Sequence, residues 1–448
     1  MATPAGRSAI GVIRMSGPDT GTILQKIFRP RGRRAFPAAF SAYAGDIVDP
    51  ADGLVVDRVV VNTFLAPSSY TGEDLAEIGG HGNPAVLSRL LGVILAAGAR
   101  GAEPGEFTRR AFLHGKMSLM DVEATAQLLD ATTPGQIRVA VNQLEGTPAK
   151  RIRAVRERLL NLLVQLEAGL NFPEDAIEDL DPQLIRGELA AAEFDLRRFA
   201  DSARHGDQVA AGLRIVIAGP PNAGKSSLMN ALLGRERAIV TAIPGTTRDT
   251  LEETLSLHGI PLRLVDTAGL REPDDPIEEL GIGRTQQAMA HAFAIVAVFD
   301  GSAGAGEGEA EVVKLLTGAG RPVIVALNKS DLPASGTPRR LPDEWPVVRL
   351  SATTGDGLPE LAEAVDVLVR QAGLDILDDM LLLGAQQRQA LEAALGAVSR
   401  AKAGLGALYD DMLALEIEEA VRQMGRVTGE TADLQMLDRI FERFCIGK

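Results

Sequence analysis

The chain has 448 residues, about three domains' worth at roughly 150 residues each, and its 46 basic and 60 acidic side chains leave a net charge of −14. With 46% hydrophobic and 24% charged residues the composition is globular, which excludes a disordered chain, a collagen-like rod or a coiled coil. The single cysteine, Cys445, cannot close an intramolecular disulfide, and no apolar run approaches the about 18 to 20 residues of a membrane span. Arg7 and Arg14 interrupt the N-terminal apolar run, so no secretory leader is expected and the expected setting is the cytoplasm, off the membrane. The five histidines are scattered and form no zinc-like spacing with cysteine. An acidic balance disfavours indiscriminate polyanion binding, while the basic run from Lys150 to Arg158 is open to two readings, phosphate contact or a solvated helix face.

In chain order, Met1 to about Arg100 alternates β-like runs, Ile10 to Arg14 and Leu54 to Phe64, with turns and one helical stretch, Pro84 to Ala97, as in a small α+β domain. From about Ser118 leucines recur at three- and four-residue steps, predicting helices over Leu119 to Ala131 and Ala149 to Leu170. That texture stops near Ala211, where Leu213 to Ala218 is an apolar strand running into a glycine-rich turn. Strands are then predicted at Thr250 to Leu257, Pro261 to Val265, Phe293 to Phe299, Pro322 to Leu327 and Val347 to Leu350. Helices are predicted near Lys225 to Leu233, Ile277 to His291 and Leu358 to Arg370, the alternation of a mostly parallel α/β sheet. Helices resume over Met380 to Leu408, Tyr409 to Met424 and Ala432 to Phe444, so the α/β unit is inserted in a helical domain. The predicted boundaries are 1–117 for the N-terminal domain, 118–211 and 374–448 for the two parts of the helical domain, and 212–373 for the α/β unit.

Gly219-Pro220-Pro221-Asn222-Ala223-Gly224-Lys225-Ser226 fits G-x-x-x-x-G-K-[ST] and stands between a predicted strand and a predicted helix. The two glycines let backbone N–H groups wrap a phosphate, Lys225 brings charge to the outer phosphates, and the Ser226 hydroxyl is a Mg²⁺ ligand. Asp266-Thr267-Ala268-Gly269 ends a strand, which puts a carboxylate near the Mg²⁺ shell and Gly269 at the γ-phosphate. In Asn328-Lys329-Ser330-Asp331 the aspartate can accept from both the N1–H and the exocyclic amine of guanine, and a buried carboxylate so used rejects adenine, which makes the expected nucleotide GTP. Ser351-Ala352-Thr353 completes the base pocket, and Gly245-Thr246-Thr247-Arg248-Asp249 is a switch segment whose Thr247 reaches Mg²⁺ and γ-phosphate. Leu270 stands where Ras-like GTPases carry the glutamine that orients water. Another polar group must do so, and Glu272, Asp274, Asp275, Glu278 and Glu279 are all candidates.

These motifs, their insertion in a helical domain and the terminus Phe444-Cys445-Ile446-Gly447-Lys448 closely resemble the MnmE (TrmE) family of tRNA uridine modification GTPases. The resemblance runs through Ala9 to Gly17, Ser69-Tyr70-Thr71-Gly72-Glu73-Asp74, Gly80-His81-Gly82 and Pro104 to Phe112. It implies a homodimer through N-terminal α+β domains and a Ras-like P-loop GTPase domain inside an all-α domain. It also implies a flavin-dependent partner, MnmG, in a heterotetrameric or larger complex. With that partner, such proteins add a carboxymethylaminomethyl group to the wobble uridine of certain tRNAs, drawing one carbon from 5-formyltetrahydrofolate or a related folate. Potassium takes the place that an arginine finger fills elsewhere, neutralising charge in the transition state.

By this similarity GTP is lined by Asn222, Ala223, Gly224, Lys225, Ser226 and Ser227, and by Thr241, Ala242, Ile243, Pro244, Gly245, Thr246 and Thr247. Asp266, Thr267, Ala268 and Gly269, then Asn328, Lys329 and Asp331, then Ser351, Ala352 and Thr353, complete the set. Asn222, Thr241, Ile243 and Thr246 would hold K⁺, and Glu278 would orient the attacking water. Arg14, Glu77, Lys116 and Lys448 match the folate positions, a division that suits a pterin donor edge and an anionic tail. Cys445, beside Arg443 and Lys448, matches a cysteine the family needs for tRNA modification, and its neighbours favour thiolate. Two departures stand out. Relatives usually carry several residues, including an apolar strand, ahead of the Ala2-Thr3-Pro4 segment, so a late start that leaves a sheet edge of the N-terminal domain uncovered, with dimerisation at stake, is the expectation here, and Pro220 replaces a more usual basic residue. The competing reading, a ribosome-assembly GTPase, calls for a basic RNA-binding module after the α/β unit, where this chain has mixed-charge helix.

Overall fold

A computed structural model describes residues 1–448 except 5, 33–35, 172–180, 237–251, 258, 267–285, 307–308, 335–338, 375–376, 378–379, 407–409, 432–440, 442–443, 445–446 and 448. The chain divides into two compact units, one of residues 1–126, 149–193 and 384–448, the other of 127–148 and 194–383.

The first unit opens with a five-stranded antiparallel sheet in the order β1-β5-β4-β3-β2, made of β1 (Ile10–Ser16), β2 (Phe28–Pro30), β3 (Ser41–Val48), β4 (Val55–Phe64) and β5 (Leu75–His81). Alternation puts Ile13 and Met15 of β1 and Ile78 of β5 on one face, where they pack with Leu87, Leu90 and Ile94 of helix α2 (Pro84–Ala96) and Ile23, Leu24 and Ile27 of α1 (Thr20–Ile27). The opposite face carries Arg14 and Glu77. Helix α2 starts where it does because Asn83 caps it, its side chain accepting from the Ala85 N–H, with Pro84 in the first turn. The outer side of β1 is partly covered by the chain's own start, since the Ala2 N–H donates to the Val12 carbonyl at 2.8 Å and the Val12 N–H to Thr3 Oγ1 at 3.1 Å. Helices α3 (Glu106–Leu113) and α4 (Leu119–Asp130) follow, and later in the chain come α6 (Thr147–Asn171) and the start of α7 (Pro182–Ala211). Helices α11 (Ala385–Gly404) and α12 (Asp410–Thr428) end the described helical part.

The second unit is built on a six-stranded sheet in the order β11-β10-β9-β6-β8-β7. β6 (Leu213–Ala218), β8 (Ile260–Asp266), β9 (Ala294–Asp300), β10 (Val323–Asn328) and β11 (Val347–Arg349) run parallel, and β7 (Glu252–Leu257) pairs antiparallel with β8. The central strand β9 is buried over six consecutive residues because both faces of a parallel sheet are covered. One face packs with α10 (Leu358–Gln371) through Leu358, Leu361 and Val365, the other with Leu316 of α9 (Glu309–Gly318). Helix α5 (Pro134–Leu144), with a Thr133–Gln136 capping box, belongs to this unit, and its Gly135 N–H donates to the Gly259 carbonyl of the β7–β8 turn at 2.9 Å.

The predicted mostly parallel sheet is present with boundaries within two residues for the strands, and the two helical regions are present as well. The helix expected over Met380 to Leu408 is shorter at both ends: it stops at Gly404, and Met380 to Gly384 is not helical, so that helix begins only at Ala385. Gln143, 1% exposed, holds Leu382 through both amide atoms, donating to its carbonyl at 2.8 Å and accepting its N–H at 2.7 Å, so the backbone there is bonded laterally and not along a helix. The predicted helices Ile277 to His291 and Ala432 to Phe444 lie largely outside the described residues.

Candidate functional site

In the second unit the ends of β6, β9 and β10 deliver three loops to one edge of the sheet, the place where parallel α/β sheets bind ligands. The loop after β6 must carry its glycines. Gly219 has φ +151 and a Cβ there would lie 2.1 Å from the Val298 carbonyl oxygen, while Gly224 has φ +93 and its Cβ would meet Asn328 Nδ2 at 2.2 Å. Asn222 between them is also left-handed, at φ +59, a conformation asparagine tolerates better than most residues. Lys225 opens helix α8 (Lys225–Glu236), and its ammonium donates to the carbonyls of Gly219 and Pro220 at 3.1 and 2.9 Å. Ser226 and Ser227 are exposed in the first turn, beside N–H groups that have no partner within the helix. Glycine-lined backbone, a lysine and the positive end of a helix fit a polyphosphate.

Asn328, 3% exposed, ties the nucleotide loops together. Its Nδ2 donates to the Ala223 carbonyl at 3.0 Å and its Oδ1 accepts the Ala352 N–H at 2.9 Å. Ser351 is fully buried, its N–H donating to the Asp356 carbonyl and its Oγ accepting the Thr354 N–H, which braces the loop carrying Ala352 and the exposed Thr353. Asp331 is exposed, which corrects the expectation of a buried carboxylate: the loop alone does not desolvate it, so a base would have to cover it. Lys329 has φ +65 and its ammonium lies 2.6 Å from Asp300 Oδ2. Burial alone would raise the Asp300 carboxyl, but the Lys329 ammonium and the Ser302 hydroxyl and N–H outweigh it and bring it to about 2. Sequence reasoning missed Asp300 and Ser302, which belong to no nucleotide motif. Thr241, Ala242, Ile243, Pro244, Gly245, Thr246, Thr247, Thr267, Ala268, Gly269 and Glu278 lie outside the described residues, as does the side chain of Asp266 at the end of β8.

In the first unit Arg14 and Glu77 face each other in register across β1 and β5, with Nη2 at 2.7 Å and Nε at 3.0 Å from Glu77 Oε1. The guanidinium also lies 5.4 Å from the Tyr70 ring centroid and 5.8 Å from that of Phe107, and donates to the Gly447 carbonyl at 3.3 Å. It borders a cavity of about 440 Å³ whose lining includes Ser16, Glu106, Phe107, Arg110 and Gly447. Lys116 is exposed and donates to the Pro67 carbonyl at 2.9 Å, so it is not bonded into the Arg14–Glu77 pair. Cys445 and Lys448 lie outside the described residues. A second charged group went unread in the sequence: Arg110 bridges Glu73 at 2.7 Å and Glu106 at 2.6 Å, and Arg100 also pairs with Glu106. Burial works to raise the Glu106 carboxyl, but hydrogen bonds from Arg100, the Glu103 N–H and Arg110 prevail and lower it to about 2. The spacing of Glu106 and Arg110, four apart on α3, was the available signal. The basic run on α6 is largely spoken for: Arg153 and Arg156 pair with Glu430, and Arg158 with Glu188. Among the described residues no group of three or more His, Cys, Asp or Glu is placed to hold a metal, and no helix is long and apolar enough to cross a membrane.

A glycine-bound phosphate loop at the end of β6, an Asn328 that locks it to the base loops, and Asp331 beside them define a P-loop GTPase. Residues 119–445 match the family model described as the MnmE helical domain, and residues 1–116 that of the GTP-binding protein TrmE N-terminus. The chain is similar to the tRNA modification GTPase MnmE of Heliobacterium modesticaldum, 41% identical over 460 residues, covering 100% of this chain and 98% of that one. It is 40% identical to the same-named protein of Symbiobacterium thermophilum over 454 residues, with the same coverage. Among solved structures it is similar to the G domain of the T. maritima FeoB iron transporter, 26% identical over 35% of this chain and 98% of that one, with a TM-score of 0.26. The chain belongs to the MnmE family of tRNA modification GTPases.

Proposed function

We propose that this protein is a potassium-activated GTPase that acts, as a homodimer and with the flavoprotein MnmG, on the wobble uridine of tRNA in the cytoplasm, using a tetrahydrofolate one-carbon unit. The proposed organisation is the one read from the sequence, with the GTPase module at 212–373 inside a helical domain at 118–211 and 374–448, behind an N-terminal domain at 1–117. The observation that carries the nucleotide half is the Gly224–Asn328–Ala352 arrangement, in which the phosphate loop and the base loops share one buried amide.

In this reading the backbone N–H groups of Asn222 to Ser227 and the Lys225 ammonium hold the β- and γ-phosphates, while Asp331 accepts from guanine. Ser226 and Thr247 would ligate Mg²⁺, which spreads the phosphate charge. Asn222, Thr241, Ile243 and Thr246 would hold K⁺, and Glu278 orients water in place of the glutamine that Leu270 replaces. Oriented water and neutralised charge are the two needs of phosphoryl transfer, and Lys225 and Glu278 supply one each. For folate, Arg14 and Glu77 offer a planar cation and a carboxylate side by side, with Lys116 and Lys448 as cations for an anionic tail and Cys445 nearby in sequence.

Turnover of GTP in potassium against sodium at equal ionic strength, with ATP as control, tests this. Potassium-selective GTP hydrolysis that is lost in Glu278→Ala while GTP binding persists is the expected result. Cation-indifferent turnover would remove Asn222 and its partners from the mechanism.

A further inference from the structure

Asp300 ends β9 and lies in none of the nucleotide motifs, yet every atom of its carboxylate is directed. Oδ2 takes the Lys329 ammonium at 2.6 Å, and Oδ1 takes the Ser302 hydroxyl at 2.6 Å and the Ser302 N–H at 3.0 Å. The Asp300 backbone is held as well, because Arg339 donates to its carbonyl and to those of Ala303 and Gly304. Arg339 is in turn paired with Glu309 at 3.0 Å, with both side chains about nine-tenths buried. The β9 end is thus a braced platform. On its other side Gly301 approaches β10 so closely that its N–H reaches the Asn328 carbonyl at 2.6 Å and a Cβ at 301 would meet that oxygen at 2.8 Å.

The loop that rests on this platform is the base loop. Asn328 is fixed at its start by two hydrogen bonds, and Asp331, the guanine acceptor, is exposed three residues on. Between them Lys329 adopts φ +65, a left-handed backbone that is strained for a lysine and therefore needs an external hold. The side chain that supplies one is Asp300.

We propose that Asp300 is a positioning residue for guanine recognition: through the Lys329 ammonium it fixes the path of the loop from Asn328 to Asp331, and so sets how Asp331 meets the base. This rests on the reading of Asp331 as the guanine acceptor. The fixed charge of Asp300 fits the role, since a carboxyl brought to about 2 stays ionised, and the hold persists, throughout the physiological range.

The test is the affinity of the full-length protein for GDP and for inosine diphosphate, which lacks the exocyclic amine, in wild type, Asp300→Asn, Lys329→Met and the double variant, with thermal melts as a check on folding. Asp300→Asn is expected to weaken GDP about tenfold, to narrow the GDP over inosine diphosphate preference, and to raise KM for GTP with little change in kcat. Added to Lys329→Met it should cost nothing further. Ser302→Ala, which removes one bond to the carboxylate, should give a smaller loss in the same direction and covers the case in which Asp300→Asn does not fold. Additive losses in the double variant, or an unchanged preference in both Asp300→Asn and Ser302→Ala, would overturn the proposal. Asp331→Asn separates the two readings: if it leaves the guanine over inosine preference intact, the base pocket itself is misassigned, whatever Asp300 does.

Discussion

Gly224 and Asn328 stand in such close contact that one added carbon at residue 224 would come within 2.2 Å of the asparagine Nδ2. The glycine serves the phosphate loop and the asparagine the base loops, so each requirement is met only because the other residue is what it is. Gly224→Ala must displace Asn328 and also strain a backbone at φ +93. The expected outcome is loss of GDP affinity by more than about 100-fold, since backbone strain of about 1 to 3 kcal/mol and the loss of the buried Asn328 hydrogen bonds, about 1 to 3 kcal/mol more, act together. Titration with a fluorescent GDP analogue checks it, and wild-type affinity in the variant would mean that the loops move independently.

Asp331→Asn exchanges an acceptor pair for an amide with one donor end, facing a guanine edge that only donates. A loss of about 2 to 4 kcal/mol in GTP affinity is expected, since a charge-assisted pair of bonds goes and an amide donor is left facing guanine. Equal GTP affinity in the two proteins would contradict the base pocket.

Glu106 has its carboxyl lowered from 4.5 to about 2, so its partners stabilise the folded state in the ionised form. A depressed carboxylate contributes stability that is complete above the unfolded value and fades as pH falls from about 4.5 towards about 2. Glu106→Gln should therefore destabilise the N-terminal unit fully at pH 7 and less at pH 3.5. Urea unfolding at both values measures this, and a difference that does not shrink with acid would show that shape, not charge, matters at this position.

Gln143 fills both hydrogen-bonding needs of Leu382 in a buried setting. Gln143→Leu keeps the volume but strands one N–H and one C=O, at a cost of about 2 to 4 kcal/mol. A fall in the urea midpoint with an unchanged slope is the expected signature, whereas an unchanged midpoint would mean that water replaces the amide.

What could be read from the sequence was whatever is contiguous in it. The phosphate loop from Gly219 to Ser226 is a strand, a turn and a helix start in one short segment, and the burial of β9 shows directly as an unbroken apolar run. Read with Asn328-Lys329-Ser330-Asp331, such contiguous motifs named the nucleotide, and with the terminus Phe444-Cys445-Ile446-Gly447-Lys448 and the N-terminal segments they pointed to the family. The tertiary structure decided the pairings: Asn328 with Ala223 across 105 residues, Lys329 with Asp300 across 29, and Gln143 with Leu382 across 239. Neither Asp300 nor Gln143 differs in its local pattern from any surface aspartate or glutamine. Their roles exist only because sheet order sets β9 beside β10, and because α5 and the segment at 380–383 pack in the same unit. The same distinction explains the failed helix at Met380 to Gly384, where apolar spacing favoured helix and a lateral bond from a distant glutamine won. Local periodicity encodes which elements form, and the choice of a distant partner is fixed only when the elements are packed.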